Sequence, residues 1–136
     1  MIEFRPLEAA DLPLLRTWLE REHVRRWWRE PIEEELAQEL KGRYVIVVDG
    51  RAAGLIQTYD GEVDLLIGEE ELTGRGLGSQ VLAKFVDEIV ATDVAFAHVE
   101  EGNRRSWRAF EKAGFVHVGD VEEDCRPHRL MRLDRS

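Results

Sequence analysis

Three glycines at alternating positions, Gly74-Arg75-Gly76-Leu77-Gly78, followed by Ser79, stand just ahead of a strongly periodic apolar pattern. Val81, Leu82, Phe85, Val86, Ile89 and Val90 recur at three- and four-residue steps, which predicts an amphipathic helix beginning after Gly78. A helix N-terminus presents free backbone N–H groups and the positive end of the helix dipole. Glycine lets an anion reach that main chain with no Cβ in the way. The chemistry suited to this spacing is the cradling of a pyrophosphate. Neither register completes G-x-G-x-x-G, because Ser79 and Val81 stand where the third glycine belongs, and no G-x-x-x-x-G-K-[ST] occurs. Both nucleotide loops are thereby disfavoured, and a plain glycine-rich loop opening onto a helix is the other reading of these residues. Just upstream, Asp64 interrupts the apolar run Val63 to Ile67. A carboxylate there is costly unless it is paired or functional, and strand alternation would turn it to the same face as Leu66. The competing reading is the exposed end of a strand after a turn.

A second segment bears on the first. Asn103-Arg104-Arg105-Ser106-Trp107-Arg108-Ala109-Phe110-Glu111-Lys112-Ala113-Gly114-Phe115 follows a β-like run at Val94 to Val99. The pair of segments resembles the GNAT superfamily of acetyl-coenzyme A-dependent N-acetyltransferases. In that superfamily the loop reads [RQ]-x-x-G-x-[GA] and the later helix N-x-x-[AS]-x-x-x-Y-x-x-x-G-F. Gly76 and Gly78 keep the loop motif, from which Thr73 departs. Asn103, Ser106, Gly114 and Phe115 keep the helix motif, with Phe110 in place of tyrosine. The resemblance implies acetyl-coenzyme A as co-substrate and no metal. It places Gly74, Arg75, Gly76, Leu77, Gly78 and Ser79 at the pyrophosphate, with Asn103 and Arg108 also on the coenzyme. The main chain of Leu66 and Ile67 would pair with the pantetheine arm and hold the thioester oxygen.

Four local patterns resemble the aminoglycoside 6′-N-acetyltransferases more closely: His-x-x-x-Trp-Trp at His23 to Trp28, Gly-x-x-Gln-x-Tyr at Gly54, Gln57 and Tyr59, the Asp64 strand with its glycine loop, and Arg-x-Phe-Glu-Lys-Ala-Gly-Phe at 108 to 115. This implies that Asp64 binds the substrate and assists deprotonation of the 6′-amine, while Trp27, Trp28, Gln57 and Tyr59 line the pocket. Glu100 or Glu101, at a strand end, would add a carboxylate for an ammonium. Relatives are mostly longer, with insertions before the glycine loop that are lacking here. Phe110 cannot protonate a leaving thiolate as tyrosine does. Two alternatives therefore stay open: acetylation of another amine (a polyamine, a siderophore hydroxylamine or a protein N-terminus), or an acyl-coenzyme A-binding protein without turnover.

Composition bounds these readings. At 136 residues the chain is expected to be a single domain, and 43% hydrophobic with 35% charged residues describes a soluble globular chain. No apolar run approaches the ~20 residues of a membrane span, and the N-terminus does not read as a signal peptide. Cys125 is the one cysteine, which excludes an intrachain disulfide and fits a cytoplasmic setting; it reads as an incidental thiol, the other reading being a nucleophile. A net charge of −9, from 28 acidic and 19 basic side chains, argues against nucleic acid and is compatible with a small cationic amine. Acidic surfaces also keep soluble proteins apart without any such role. A monomer or a homodimer fits equally.

The elements that must position these groups follow in order. Ile2 to Arg5 reads as a strand. Leu12, Leu15, Trp18 and Leu19 mark a helix over 9–21, and Ile32, Leu36 and Leu40 a second, with Gly42 as its stop. Between them, Trp27 and Trp28 fall on an irregular segment, where one is a candidate aromatic wall and the other reading is a core plug. Asp49-Gly50 and Asp60-Gly61 predict tight turns joining strands at Tyr44 to Val48, Ala53 to Tyr59 and Glu62 to Ile67. Glu69, Glu70 and Glu71 read as a solvated link. Asn103 is an expected N-cap, and Phe115 to Val121 and Arg129 to Leu133 close the chain as an antiparallel pair. The result is an α/β fold with a mixed sheet in the order βααβββαβαββ, as the superfamily uses.

Overall fold

The computed structural model describes residues 1–135. Seven strands form one mixed sheet in the order β1-β2-β3-β4-β5-β7-β6. They are β1 Ile2–Pro6, β2 Arg43–Val48, β3 Arg51–Tyr59, β4 Glu62–Ile67, β5 Val94–Glu100, β6 Val116–Glu123 and β7 Arg126–Asp134. The helices are α1 Leu12–Glu20, α2 Glu22–Arg25, α3 Ile32–Ala37, α4 Leu77–Glu88 and α5 Arg104–Lys112. The expected order holds with one addition: the segment read as irregular begins with α2, and hydrogen bonds from the N–H groups of Trp27 and Trp28 to the Val24 carbonyl continue the turn. The chain divides into two compact units, Met1–Gln57 with Leu65–Thr73, and Thr58–Asp64 with the chain from Gly74 on.

In the first unit, α1 opens after a 3-10 turn at Ala9–Asp11, and Pro13 falls in its first turn, where no intrahelical N–H is lost. Asp11 ties the start of α1 to β1 through a two-point pairing with Arg5, 2.9 Å on each arm. Leu15, Trp18 and Leu19 bury against Leu7, Val24, Val45, Leu55 and Leu66, with Trp28, Ile32, Leu36 and Leu40 packed at the margin. Helix α3 stops at Ala37, earlier than expected, because Gln38 turns extended; Gly42, at φ +77°, serves the following turn instead of a helix end. Asp49 and Gly50, at φ +50° and +82°, make the two-residue turn joining β2 to β3, as their types require.

In the second unit, α4 buries Val81, Leu82, Phe85 and Val86. β5 pairs antiparallel with β7 along its length, from Val94 opposite Asp134 to Glu100 opposite His128. β4 meets β5 in parallel at Glu62 opposite Phe96. Helix α5 ends at Gly114, φ +105°, with the Phe115 N–H returning to the Phe110 carbonyl at 3.0 Å. The closing pair runs longer than its apolar residues imply, because Asp124 and Cys125, at φ +51° and +62°, form the hairpin turn with no glycine to mark it.

Candidate active site

The second unit carries the glycine loop, the start of α4 and helix α5. Gly76 is the N-cap of α4 at φ +77°, and a Cβ built on it would meet nothing within 4 Å, so the space in front of the first turn is open. No side chain caps this helix; Ser79 Oγ instead donates to the Gly76 carbonyl at 3.0 Å. The N–H groups of the first turn, from Leu77 to Ser79, thus keep their donors for a ligand. Gly74 has φ +74°, and a Cβ there would lie 3.6 Å from Arg105 Nη2, so a cation from α5 stands over the loop. Arg75 is exposed, and Arg75, Arg105 and Lys112 make no ion pair among the described residues. Arg108 reaches Glu111 at 3.8 Å. Asn103 sits at the N-cap of α5 but makes no side-chain cap bond. Its ψ of 66° lies outside the extended region that capping uses, and its carbonyl serves the Ser106 and Trp107 N–H groups instead. Open first-turn donors, positive-φ glycines and unpaired cations together suit a pyrophosphate.

The first unit holds the end of β4. Gly54 lies so close to this strand that a Cβ on it would stand 2.1 Å from the Leu66 carbonyl oxygen, so only glycine fits. Three side chains from α1, α2 and the link between them then fasten the segment that leaves β4. His23 Nε2 lies 2.9 Å from the Ile67 carbonyl; a carbonyl only accepts, so this nitrogen carries the proton. Arg21 donates to the Gly68 carbonyl at 2.7 Å. Trp18 Nε1 donates to Glu69 Oε2 at 2.8 Å. Arg51 adds contacts of 2.9 Å to Glu69 and 2.6 Å to Glu71. The indole N–H, followed by Arg21 and Arg51, holds the Glu69 carboxyl below the ordinary carboxylate range. Glu69 is therefore no solvated link: its side chain is 14% exposed and anchors the turn. The Ile67 carbonyl is thus engaged by His23. Periodicity assigned Trp18 to the core; the need of a buried indole N–H for an acceptor was the one available signal of this anchor.

The expected acceptor residues fall as follows. Asp64 is exposed, whereas Val63 and Leu66 are both buried. Alternation along the strand still turns Asp64 and Leu66 to one face, but the two differ in burial. Exposure also removes the desolvation cost that singled Asp64 out. Trp28 packs at the core margin, and Trp27 is half-buried. Gln57 is half-buried and accepts from Arg43 Nε at 3.0 Å. Tyr59 is 79% exposed. Glu100 is half-buried at the end of β5. Glu101 is already committed: Arg129 pairs with both its oxygens, at 2.5 and 3.1 Å, and lowers its pKa. Arg129 in turn stacks 3.7 Å from the Trp107 ring centroid. That pairing gives Glu101 a cationic partner within the chain, which an acceptor ammonium would have to share or displace.

Comparison with known proteins places this geometry. The family described as "Acetyltransferase (GNAT) domain" matches residues 8–123. The chain belongs to the GNAT acetyltransferase family. It is 26% identical to the aminoglycoside N(6′)-acetyltransferase type 1 of Klebsiella pneumoniae, over 99% of this chain and 84% of that one. The crystal structure of aminoglycoside acetyltransferase AAC(6′)-Ib with coenzyme A superposes with a TM-score of 0.86 at 24% identity, covering 99% and 95% of the two chains. Spermidine N-acetyltransferase from Vibrio cholerae, solved with coenzyme A and spermine, shares the fold with a TM-score of 0.80 at 20% identity, covering 98% and 95%. As a GNAT acetyltransferase the protein uses acetyl-coenzyme A as acyl donor and an amine as acceptor. One GNAT feature is altered. Phe110 is 2% exposed and meets Phe115 edge to face at 5.0 Å, so an apolar ring occupies the position of the motif tyrosine.

Proposed function

We propose that this GNAT enzyme acetylates the 6′-amine of an aminoglycoside by direct attack in a ternary complex. Similarity along the whole chain to an aminoglycoside N(6′)-acetyltransferase carries the reading, since the bare fold also serves a spermidine N-acetyltransferase. Acetyl-coenzyme A supplies an activated acyl carbon on a thioester. The loop from Gly74 to Ser79 holds its pyrophosphate, with Asn103 and Arg108 beside it. Leu66 and Ile67 pair with the pantetheine arm, and an N–H of this pair holds the thioester oxygen as negative charge gathers there.

An alkylammonium with a reference pKa near ~10.4 must lose a proton before its lone pair can attack. Asp64 anchors that ammonium and takes one proton from it, which frees the lone pair to attack the thioester carbon, and the new N–C bond forms as the C–S bond breaks to the thiolate. Trp27, with Trp28 behind it, walls the sugar ring, Gln57 and Tyr59 contact the acceptor, and Glu100 meets a second ammonium. Because Phe110 has no hydroxyl, the departing thiolate takes its proton from the acceptor nitrogen or from water. The enzyme works as a cytoplasmic monomer or homodimer, without metal, nucleic acid or membrane. Within the described residues, no helix is long and apolar enough to cross a membrane.

A thiol-release assay with kanamycin, spermine and a peptide N-terminus tests the reading. Kanamycin is expected to release coenzyme A thiol, and an analogue with a 6′-hydroxyl is not. Release with spermine or peptide and none with kanamycin would overturn it.

A further inference from the structure

Arg43, at the start of β2, is buried to 4% exposure. Its Nη2 donates to Glu35 Oε1 at 2.8 Å, and Glu35, on α3, is itself 2% exposed. Gln38 holds the other carboxylate oxygen at 3.2 Å. Replacing such a pair with apolar residues is often neutral or stabilising, so stability alone does not account for it. The remaining atoms are more informative. Arg43 Nε donates to Oε1 of Gln57, its register partner on β3, at 3.0 Å. Nη1 is buried with no acceptor among the described residues.

A guanidinium has donors only, so the oxygen end of the Gln57 amide must face it. The Glu35 pair holds Arg43, and Arg43 in turn sets the polarity of Gln57. The end left for any other partner is the NH2 group, which carries two donors. An ammonium has no lone pair to accept them, whereas a hydroxyl or ether oxygen does. Gln57 follows Leu55 on its strand face, and Leu55 belongs to the core cluster against which Trp28 packs.

We propose that Arg43 is a positioning residue that locks Gln57 as a hydrogen-bond donor, and that this donor reads an oxygen of the acceptor, so that hydroxylated amines are preferred to oxygen-free polyamines. The inference rests on the proposed placing of Gln57 in the acceptor pocket. An oxygen-free ligand would leave the donor desolvated and unpaired, which is how a polar site rejects an analogue lacking the matching group.

The test measures kcat and KM for kanamycin and for spermine in the wild type, in Gln57→Met and in the double variant Glu35→Leu/Arg43→Met. Gln57→Met keeps the length and removes the donor. It is expected to lower the kanamycin-over-spermine ratio of kcat/KM about tenfold, through a KM for kanamycin that rises as the donor is lost and a KM for spermine that falls as no donor is left unpaired. The double variant replaces the ion pair with apolar side chains and frees the amide to turn over, so it should move the ratio the same way. Thermal melting and coenzyme A affinity report that each variant is folded. A folded Gln57→Met with the wild-type ratio overturns the inference and leaves the acceptor reading standing. A wild type that acetylates spermine as efficiently as kanamycin overturns the inference alone, and one that acetylates spermine and not kanamycin overturns both.

Discussion

Asp64 is a carboxylate exposed on a strand whose neighbour Val63 is buried, which is compatible with its proposed role of meeting a cationic amine from solvent. Asp64→Asn keeps the shape and removes the basicity. It is expected to cut turnover about 10²-fold or more, with coenzyme A affinity, measured by calorimetric titration, unchanged. Phe110 presents the opposite case. Its ring is sealed at 2% exposure against Phe115, so a hydroxyl added by Phe110→Tyr enters a packed apolar contact. We expect a lower melting temperature and at most a modest gain in kcat. A gain of several orders of magnitude would show that leaving-group protonation limits the native enzyme.

The segment leaving β4 depends on elements far away in sequence, since Trp18, Arg21 and His23 hold Glu69 and the carbonyls of Gly68 and Ile67. Glu69→Gln should cost about 1–3 kcal/mol at pH 7, because a charged acceptor is lost from a part-buried network. The sign with pH follows from its lowered folded-state pKa. The stability it contributes is complete above the ordinary glutamate range, near ~4.3, and is lost as pH falls through the lower folded value. Urea unfolding of both proteins should show a constant gap down to about pH 5 that closes in stronger acid. Before α4, Gly76 stands at φ +77° facing open space. Gly76→Val should lose about 1–2 kcal/mol through backbone strain yet fold. Its side chain would cover the first-turn N–H groups, so titration should show coenzyme A binding abolished.

At the scale of the molecule, a net charge of −9 would draw the polycationic sugar proposed as acceptor. Apparent affinity for kanamycin should therefore fall as salt rises through the physiological range, where the screening length is about 8 Å; an affinity that ignores salt would remove long-range attraction from the account. The element order, both Asp-Gly turns and the helix after the glycine loop were legible in the chain itself, because periodicity, turn chemistry and helix ends depend on residues a few positions apart, and the GNAT assignment followed from the resemblance of two motifs to that family. The Asp124-Cys125 hairpin was hidden for the same reason, since no residue in it advertises a positive φ. Tertiary structure alone decided which charges remain available. Glu69 and Glu101 read as solvated or ligand-binding carboxylates until folding brought Trp18 and Arg129 to them, and Arg43 gave no sign of fixing Gln57 until β2 was laid beside β3. A side chain's hydrogen-bond partner is set by proximity in space, which the spacing of residues along the chain does not encode.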